Sequence, residues 1–156
     1  MLIRNMPTPA VQVRQATVMD LDLIVPLFDA YRQFYRQPSE LERAKRFLLD
    51  RFEHNQSIIF LAFEGVAAVG FTQLYPSFSS ASMARIFILN DLFVAPEARR
   101  YGVASTLLQA AAEYGRRTGA LRLTLSTEIA NTAARSLYER TGWKRDTVFC
   151  AYQLAL

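Results

Sequence analysis

A strand–helix–strand pattern in residues 85–126 constrains the fold more than any other feature of this sequence. The apolar run 85–94 predicts a strand, the apolar spacing of 102–118 predicts an amphipathic helix, and the alternation of 121–126 predicts another strand. A crossover of this kind joins parallel neighbours in a sheet and packs its helix on one face. Because hairpin-like strands precede it, we predict an α/β (α+β) fold with a mixed, mostly antiparallel sheet. We expect about six to seven strands and about four flanking helices.

The remaining elements fit one domain. A first strand is predicted over 11–18, a hairpin over 57–74 and a strand-rich tail over 143–156, where side chains on alternate positions form two faces. The chain has 156 residues, of which 51% are apolar, so it can bury a core without a disulfide or a metal. We therefore predict a flexible N-terminal segment at 1–10 and a single domain over 11–156.

Composition excludes several classes of protein. Cys150 is the only cysteine and His54 the only histidine, so an internal disulfide cannot form and a zinc site would need carboxylates. We predict no metal and a reducing, cytoplasmic location. The sequence has no run of about 18 apolar residues and no secretory signal pattern, so we predict no membrane association. A net charge of +4 suits nucleic acid, anionic lipid or a phosphate-bearing ligand.

The segment from Leu89 to Ser105 carries the first candidate site. It consists of a strand, a loop with paired arginines and a glycine at the start of a helix. The first-turn amides of a helix have no intrahelical partner, and the helix dipole is positive at that end. Gly102 and Ala104 are small and allow a ligand to approach the backbone, as a pyrophosphate does at a helix N-terminus. From these residues alone, a phosphate cradle and a solvated loop are equally well supported.

A second motif, N-x-x-A-x-x-L-Y-E-x-x-G-W, runs from Asn131 to Trp143. Asn131 and Tyr138 are two helical turns apart, so both can face the same groove. Together with the R-x-x-G-x-A of Arg99–Ala104, this motif resembles the Gcn5-related N-acetyltransferase (GNAT) superfamily. The resemblance covers nearly the whole chain, because the order of the predicted elements also matches.

This resemblance implies an N-acetyltransferase that uses acetyl-CoA as co-substrate. The implied cofactor-binding residues lie at the end of the strand, in the loop, at the start of the helix and in the second motif. They are Leu92, Phe93, Val94, Arg99, Arg100, Tyr101, Gly102, Val103, Ala104, Ser105, Asn131 and Tyr138. Because CoA carries phosphates, it accounts for the basic excess, and we predict no nucleic-acid partner.

The acceptor is expected to be a small primary amine. Residues 89–94, with the aromatic end of the first helix, are similar to the polyamine and Hpa2-like branch of the superfamily. Acceptor recognition is predicted for the first helices and for a serine-rich loop at 76–82, with Tyr35 and Tyr75 as walls that suit a cationic amine. Alternatives are a protein or peptide acetyltransferase and a non-catalytic acyl-CoA-binding domain. The apolar run 149–156 also allows a homodimer.

Two proton transfers complete the chemistry. The resemblance implies that Tyr138 protonates the leaving thiolate as general acid. The attacking amine has an ordinary pKa of about 10.4, so a base or a water relay must take its proton. Relatives in the polyamine branch carry a glutamate where this sequence has Asn90, which cannot accept a proton. The candidates for the proton acceptor are therefore Asp91, Glu128 and water, and we place Asp91 first. The Asp91 carboxylate could instead bind the cation of the substrate.

Overall fold

The computed structural model describes residues 10–156, so the predicted flexible segment 1–10 lies, apart from Ala10, outside the described residues. The strands are β1 (Gln12–Gln15), β2 (Ile58–Glu64), β3 (Ala67–Ser79), β4 (Ala84–Val94) and β5 (Leu123–Thr124). The α-helices are α1 (Leu21–Phe34), α2 (Leu41–Glu53), α3 (Val103–Arg117) and α4 (Thr132–Arg140). The chain forms one compact unit up to Leu125 and a second over Ser126–Leu156. The single domain expected over 11–156 stays a prediction.

The sheet is mixed and mostly antiparallel, as predicted. Its strand order is β1-β2-β3-β4-β5, and every neighbouring pair is antiparallel except the last. β5 runs parallel to β4 and pairs with it only at Phe87↔Leu123 and Ile88↔Thr124. The helix α3 makes the crossover between these two strands, which confirms the feature from which the fold was predicted.

Helices cover both faces of the sheet because its side chains alternate between them. On one face, the ring centroids of Phe28 and Tyr31 in α1 lie 6.2 and 6.0 Å from that of Phe71 in β3. On the other face, the ring of Tyr114 in α3 lies 5.8 Å from Phe60 in β2. The larger core lies on the α1 side and draws on α1, α2 and the central strands.

Gly70 in β3 sets the position of α3. A Cβ atom built on Gly70 would lie 2.8 Å from the carbonyl oxygen of Phe93 and 3.4 Å from side-chain atoms of Val103 and Leu107. The absence of a side chain therefore lets the first turns of α3 pack directly over β3 and β4. This close approach places the start of α3 beside the end of β4.

The sequence had predicted a loop over the serine-rich segment 76–82. In the structure, only the end of this segment is a turn, because its first part belongs to β3. β3 continues to Ser79 and pairs with β4 through Phe78↔Arg85 and Ser79↔Ala84. The Arg85 guanidinium lies over the Phe78 ring, 4.9 Å from its centroid. Cross-strand pairing of this kind outweighs the local preference of serine for turns.

The strand predicted in the tail 143–156 is absent from the structure, and the described residues form five strands rather than six or seven. The backbone N–H groups of Val148 and Phe149 donate to Oδ1 of Asp146, which folds the chain into a turn. An alternating sequence forms a strand only where a partner supplies the ladder, and no described strand pairs with this segment. Phe149 and Leu154 are exposed. The homodimer stays a prediction.

Candidate active site

The loop before α3 presents free backbone N–H groups. Arg100 and Gly102 both adopt left-handed backbone conformations, with φ of 70° and 81°, and they turn the chain into the helix. No side chain of the described residues caps the first turn of α3, and a Cβ atom built on Gly102 would meet no atom within 4 Å beyond its chain neighbours. The helix dipole adds partial positive charge at the same place. The predicted phosphate cradle therefore has the local geometry that an anionic oxygen requires.

The two arginines of this loop have different environments. The Nε of Arg99 donates a hydrogen bond to the carbonyl oxygen of Val94 at 2.9 Å, and its guanidinium lies 5.7 Å from the centroid of the Phe93 ring. Arg99 thus ties the loop to the end of β4. Both arginines are exposed, but no hydrogen bond or ion pair among the described residues holds the Arg100 side chain. Tyr101 is also exposed, whereas Val103 is buried beneath the helix start.

The outer edge of β4 is open next to this loop. Pairing with β5 stops at Ile88, and no strand within residues 10–156 pairs with that edge over 89–94. Backbone groups there are available to a ligand in the same way as those of a sheet edge. Of the predicted strand-end residues, Leu92 is half-buried, while Phe93 and Val94 are buried in the core.

A bulge interrupts β4 at Asn90. β3 and β4 pair as Gln73↔Asp91 and then Leu74↔Leu89, so Asn90 is the extra residue. The Tyr31 hydroxyl donates to the backbone carbonyl of Asn90 at 3.3 Å. The bulge therefore joins α1 to the same point of the sheet.

Asp91 is a buried carboxylate held by uncharged groups. Only 2% of its surface is exposed. The side-chain amide of Gln73 donates to Oδ2 of Asp91, and Nδ2 of Asn90 donates to Oδ1 at 2.9 Å. No arginine, lysine or histidine of residues 10–156 forms an ion pair with this carboxylate. Asp91 is thus a buried acid that no cation of the described residues pairs with.

Burial controls the protonation of this cluster. Loss of solvent raises the pKa of Asp91, and hydrogen bonds from Gln73, Asn90 and Tyr31 oppose that rise. Burial and the adjacent carboxylate together raise the pKa of the Tyr31 phenol, so this hydroxyl stays protonated at neutral pH. The same two causes raise the pKa of Tyr75. The cluster therefore contains one titratable acid among hydroxyl and amide donors.

The predicted aromatic walls both belong to the first unit. Tyr75 is half-buried, and its hydroxyl accepts a hydrogen bond from Nε2 of Gln73 at 3.1 Å. Tyr35 is half-buried at the end of α1, with its ring centroid 5.1 Å from that of Tyr31. Tyr75 is thus linked to Asp91 through one amide, while the ring of Tyr35 contacts another ring of the cluster.

The second motif lies in the second unit, where α4 begins as predicted. The Oδ1 atom of Asn131 caps α4 by accepting from the backbone N–H of Ala134 at 3.2 Å. The half-buried Tyr138 ring lies 6.1 Å from that of Trp143. The roles of Asn131 and Tyr138 towards a ligand stay predictions.

Gln73 is the residue of this cluster that sequence reasoning missed. It lies within a buried strand, next to Thr72, whose hydroxyl donates to the backbone carbonyl of Asp91 at 2.8 Å. A glutamine inside the apolar run of β3 is a usable signal, because a buried amide needs partners. Its Oε1 atom is buried and has no hydrogen-bond partner.

Comparison with known proteins identifies the class of enzyme. The Acetyltransferase (GNAT) family matches residues 24–143. The uncharacterized N-acetyltransferase YhfO of Bacillus subtilis is 53% identical, over 91% of this chain and 95% of that protein. A probable acetyltransferase of Haemophilus influenzae is 32% identical, over 91% of this chain and 96% of that protein. The fold and these relatives define an N-acetyltransferase, an enzyme of the acyltransferase class. The chain belongs to the GNAT acetyltransferase family, as the two motifs had indicated.

Solved structures agree with this family assignment. The crystal structure of a probable acetyltransferase is 44% identical, with a TM-score of 0.88 over 93% of this chain and 97% of that chain. The aminoglycoside N-acetyltransferase AAC(6′)-Iy, solved in complex with CoA, shares the fold with a TM-score of 0.79 at 18% identity, over the whole of both chains. The polyamine and Hpa2-like branch stays a prediction.

Two kinds of feature are absent from the described part of the chain. No three or more His, Cys, Asp or Glu side chains of residues 10–156 form a group that could hold a metal ion. No helix in that part is both long and apolar enough to cross a bilayer.

Proposed function

We propose that this acetyltransferase moves the acetyl group of acetyl-CoA directly to a primary amine of a small molecule, with both substrates bound together. The observation that carries this proposal is the buried Asp91 carboxyl group, which forms no ion pair with a described residue and belongs to the strand whose outer edge is open. A structural neighbour bound to CoA and others named as aminoglycoside acetyltransferases support the choice of both substrates.

The residues around the start of α3 fit the CoA pyrophosphate. The left-handed turn at Arg100 and Gly102 exposes the first amides of α3, and the charge of Arg100 is available to a phosphate. Backbone groups of 92–94 on the open edge of β4 would hold the pantetheine arm. When bound, acetyl-CoA supplies an activated thioester, and the protein supplies orientation and proton transfer.

Asp91 is our proposed proton acceptor. The amine nitrogen forms a bond to the acetyl carbon while the carbon–sulfur bond breaks, and the electron pair of that bond passes to sulfur. The amine must lose a proton in this process, and a carboxylate whose pKa burial has raised is a stronger base than an exposed aspartate. Gln73 and Asn90 hold this carboxylate through hydrogen bonds.

Tyr138 is our proposed proton donor to the leaving thiolate. This role follows from the family motif in which the tyrosine stands and from the ability of a phenol to act as general acid. It is independent of the acceptor, so loss of the Tyr138 hydroxyl should slow turnover with every amine.

The test is thiol release from acetyl-CoA over a panel of amines and peptides. We expect Asp91→Asn and Tyr138→Phe each to lower kcat by about 10²- to 10⁴-fold, because each removes one proton-transfer group. Glu128→Gln is the matched control, since Glu128 is the alternative base. If Glu128→Gln is the slow variant and Asp91→Asn is not, the base is misassigned.

Two other outcomes would overturn the larger proposal. Turnover restricted to peptides or proteins would make the acceptor a polypeptide. CoA binding without turnover of any amine would make the chain a non-catalytic acyl-CoA-binding domain. Thermal stabilisation by CoA separates that case from failure of the cofactor assignment.

A further inference from the structure

The guanidinium of Arg51 in α2 forms no hydrogen bond or ion pair with any described residue. Its Cζ atom lies 4.5 Å from the centroid of the Phe47 ring, one helical turn earlier. Its Nε atom is buried and has no hydrogen-bond partner. No carboxylate of residues 10–156 forms an ion pair with it, although other arginines of the first two helices do so. Arg51 is therefore fixed by stacking while its donors are unused.

An unused buried donor is costly unless something else satisfies it. Leaving a buried polar group unpaired costs about 1–3 kcal/mol, and more for a charged group. A guanidinium presents its donors in a planar fork that matches a carboxylate. The chemistry of Arg51 therefore fits an anionic oxygen ligand.

Arg51 lines an open groove with Tyr75. The groove has a volume of about 500 Å³ and is lined by Phe47, Arg51, Asn55, Gln56, Tyr75 and Pro76. Burial raises the pKa of the Tyr75 phenol, and the charge of Arg51 opposes that rise. This volume suits a small molecule rather than a protein surface.

The groove connects to the buried acid through a single side chain. Nε2 of Gln73 donates both to the Tyr75 hydroxyl, at 3.1 Å, and to the carboxylate of Asp91. The groove therefore has the Arg51 guanidinium on one side and, at Tyr75, the end of a hydrogen-bonded chain that leads through Gln73 to the buried Asp91. A ligand in the groove would place an anionic group at Arg51 and its amine at the Tyr75 end.

We propose that the acceptor carries a carboxylate as well as its amine, with the carboxylate bound by Arg51 and the amine directed towards Asp91. This inference rests on the proposed acetyl transfer to a small amine. A diamine would place a second cation beside Arg51 and is disfavoured by like-charge repulsion. The acceptor class is therefore an amino acid or a closely related zwitterion.

The test compares acceptors that differ only in the group at the end remote from the reacting amine. Acetyl transfer is measured with ω-amino acids, alkylamines and diamines of matched length, and with α-amino acids and their amides. We expect amino acids to have the highest kcat/KM. In Arg51→Gln, the ratio of kcat/KM for an amino acid over the matched alkylamine should fall about tenfold or more, mainly through KM, and Arg51→Lys should restore part of it.

Arg46→Gln is the control, because it removes an exposed arginine from the same helix. The ratio should stay at the wild-type value in this variant. A wild-type preference for diamines or alkylamines, or an equal loss for all acceptors in Arg51→Gln, would overturn the inference.

Calorimetry separates this inference from the proposed function. If no amine is turned over, acetyl transfer fails as the function. Binding of an amino acid to the CoA-bound protein, lost in Arg51→Gln, would still support the anion site. Absence of such binding in the wild type would overturn it.

Discussion

The side-chain amide of Gln73 donates a hydrogen bond to the carboxylate of Asp91 across two neighbouring strands. The two residues are register partners in β3 and β4, immediately before the bulge at Asn90. An uncharged donor therefore holds a buried acid in one orientation without neutralising it. The orientation of the amide follows from this contact, because its oxygen would repel the carboxylate. This pair shows how the sheet orients a buried acid by a hydrogen bond rather than by an ion pair.

Asp91→Asn should change how stability depends on pH. Burial raises the pKa of Asp91 above its ordinary 3.8 in the folded state. The folded state therefore favours the protonated acid, and this contribution to stability is lost as pH rises through the folded-state pKa. We expect the free energy of unfolding of the variant, relative to wild type, to increase from about pH 4 to about pH 7. Urea denaturation at both pH values measures it, and a constant difference would contradict the assignment.

Asp20→Asn should remove a dependence of stability on pH that has the opposite sign to that of Asp91. Hydrogen bonds from Arg14, at 2.7 and 2.8 Å, lower the pKa of Asp20 to about 2. The pair therefore contributes stability that is present above pH 3.8 and is lost as pH falls towards 2. The variant should be less stable than wild type at neutral pH and should converge with it in acid. Asp22→Asn, which removes a carboxylate with 84% of its side chain exposed, is the control.

Substitution of Arg99 should change mainly the stability of the protein, whereas substitution of Arg100 should change mainly the binding of CoA. Arg99→Ala removes the hydrogen bond to Val94 and the contact with Phe93, so we expect a lower Tm. Arg100→Asn keeps a residue that tolerates the left-handed conformation but removes an exposed charge. It should leave Tm near the wild-type value and weaken CoA binding, with a smaller dependence of Kd on salt. Equal effects of the two variants on Tm would contradict these roles.

Gly70→Ala should both destabilise the fold and weaken CoA binding. The new Cβ atom would meet the carbonyl oxygen of Phe93 at 2.8 Å, so α3 or β4 must shift. Overpacking of this kind costs about 1–3 kcal/mol. Gly65→Ala is the control, because no atom lies within 4 Å of its added Cβ and only its φ of 59° is strained. Calorimetric Kd values for CoA should change for Gly70→Ala and stay constant for Gly65→Ala.

The sequence predicted the elements whose periodicity is local. The helix after Gly102, the helix after Asn131 and the strand ending at Val94 all lie where apolar spacing and glycine positions placed them. The prediction of a strand in 143–156 was wrong, because alternation shows that a segment can form a strand but not that a partner strand exists. The prediction of a loop over the whole of 76–82 was wrong because β4 supplies a partner strand for the first part of this segment.

By itself, the sequence determined the crossover, the glycine-led helix start and the family motifs, since each depends on residues close together along the chain. Only the tertiary structure decided which polar groups surround Asp91 and which buried arginine nitrogen finds no hydrogen-bond partner among the described residues. Gln73 meets Asp91 through the strand register beside the bulge at Asn90, and Arg51 of α2 and Tyr75 of β3 line the same groove. Contacts of this kind join residues that are distant in sequence, and their spacing along the chain does not encode them.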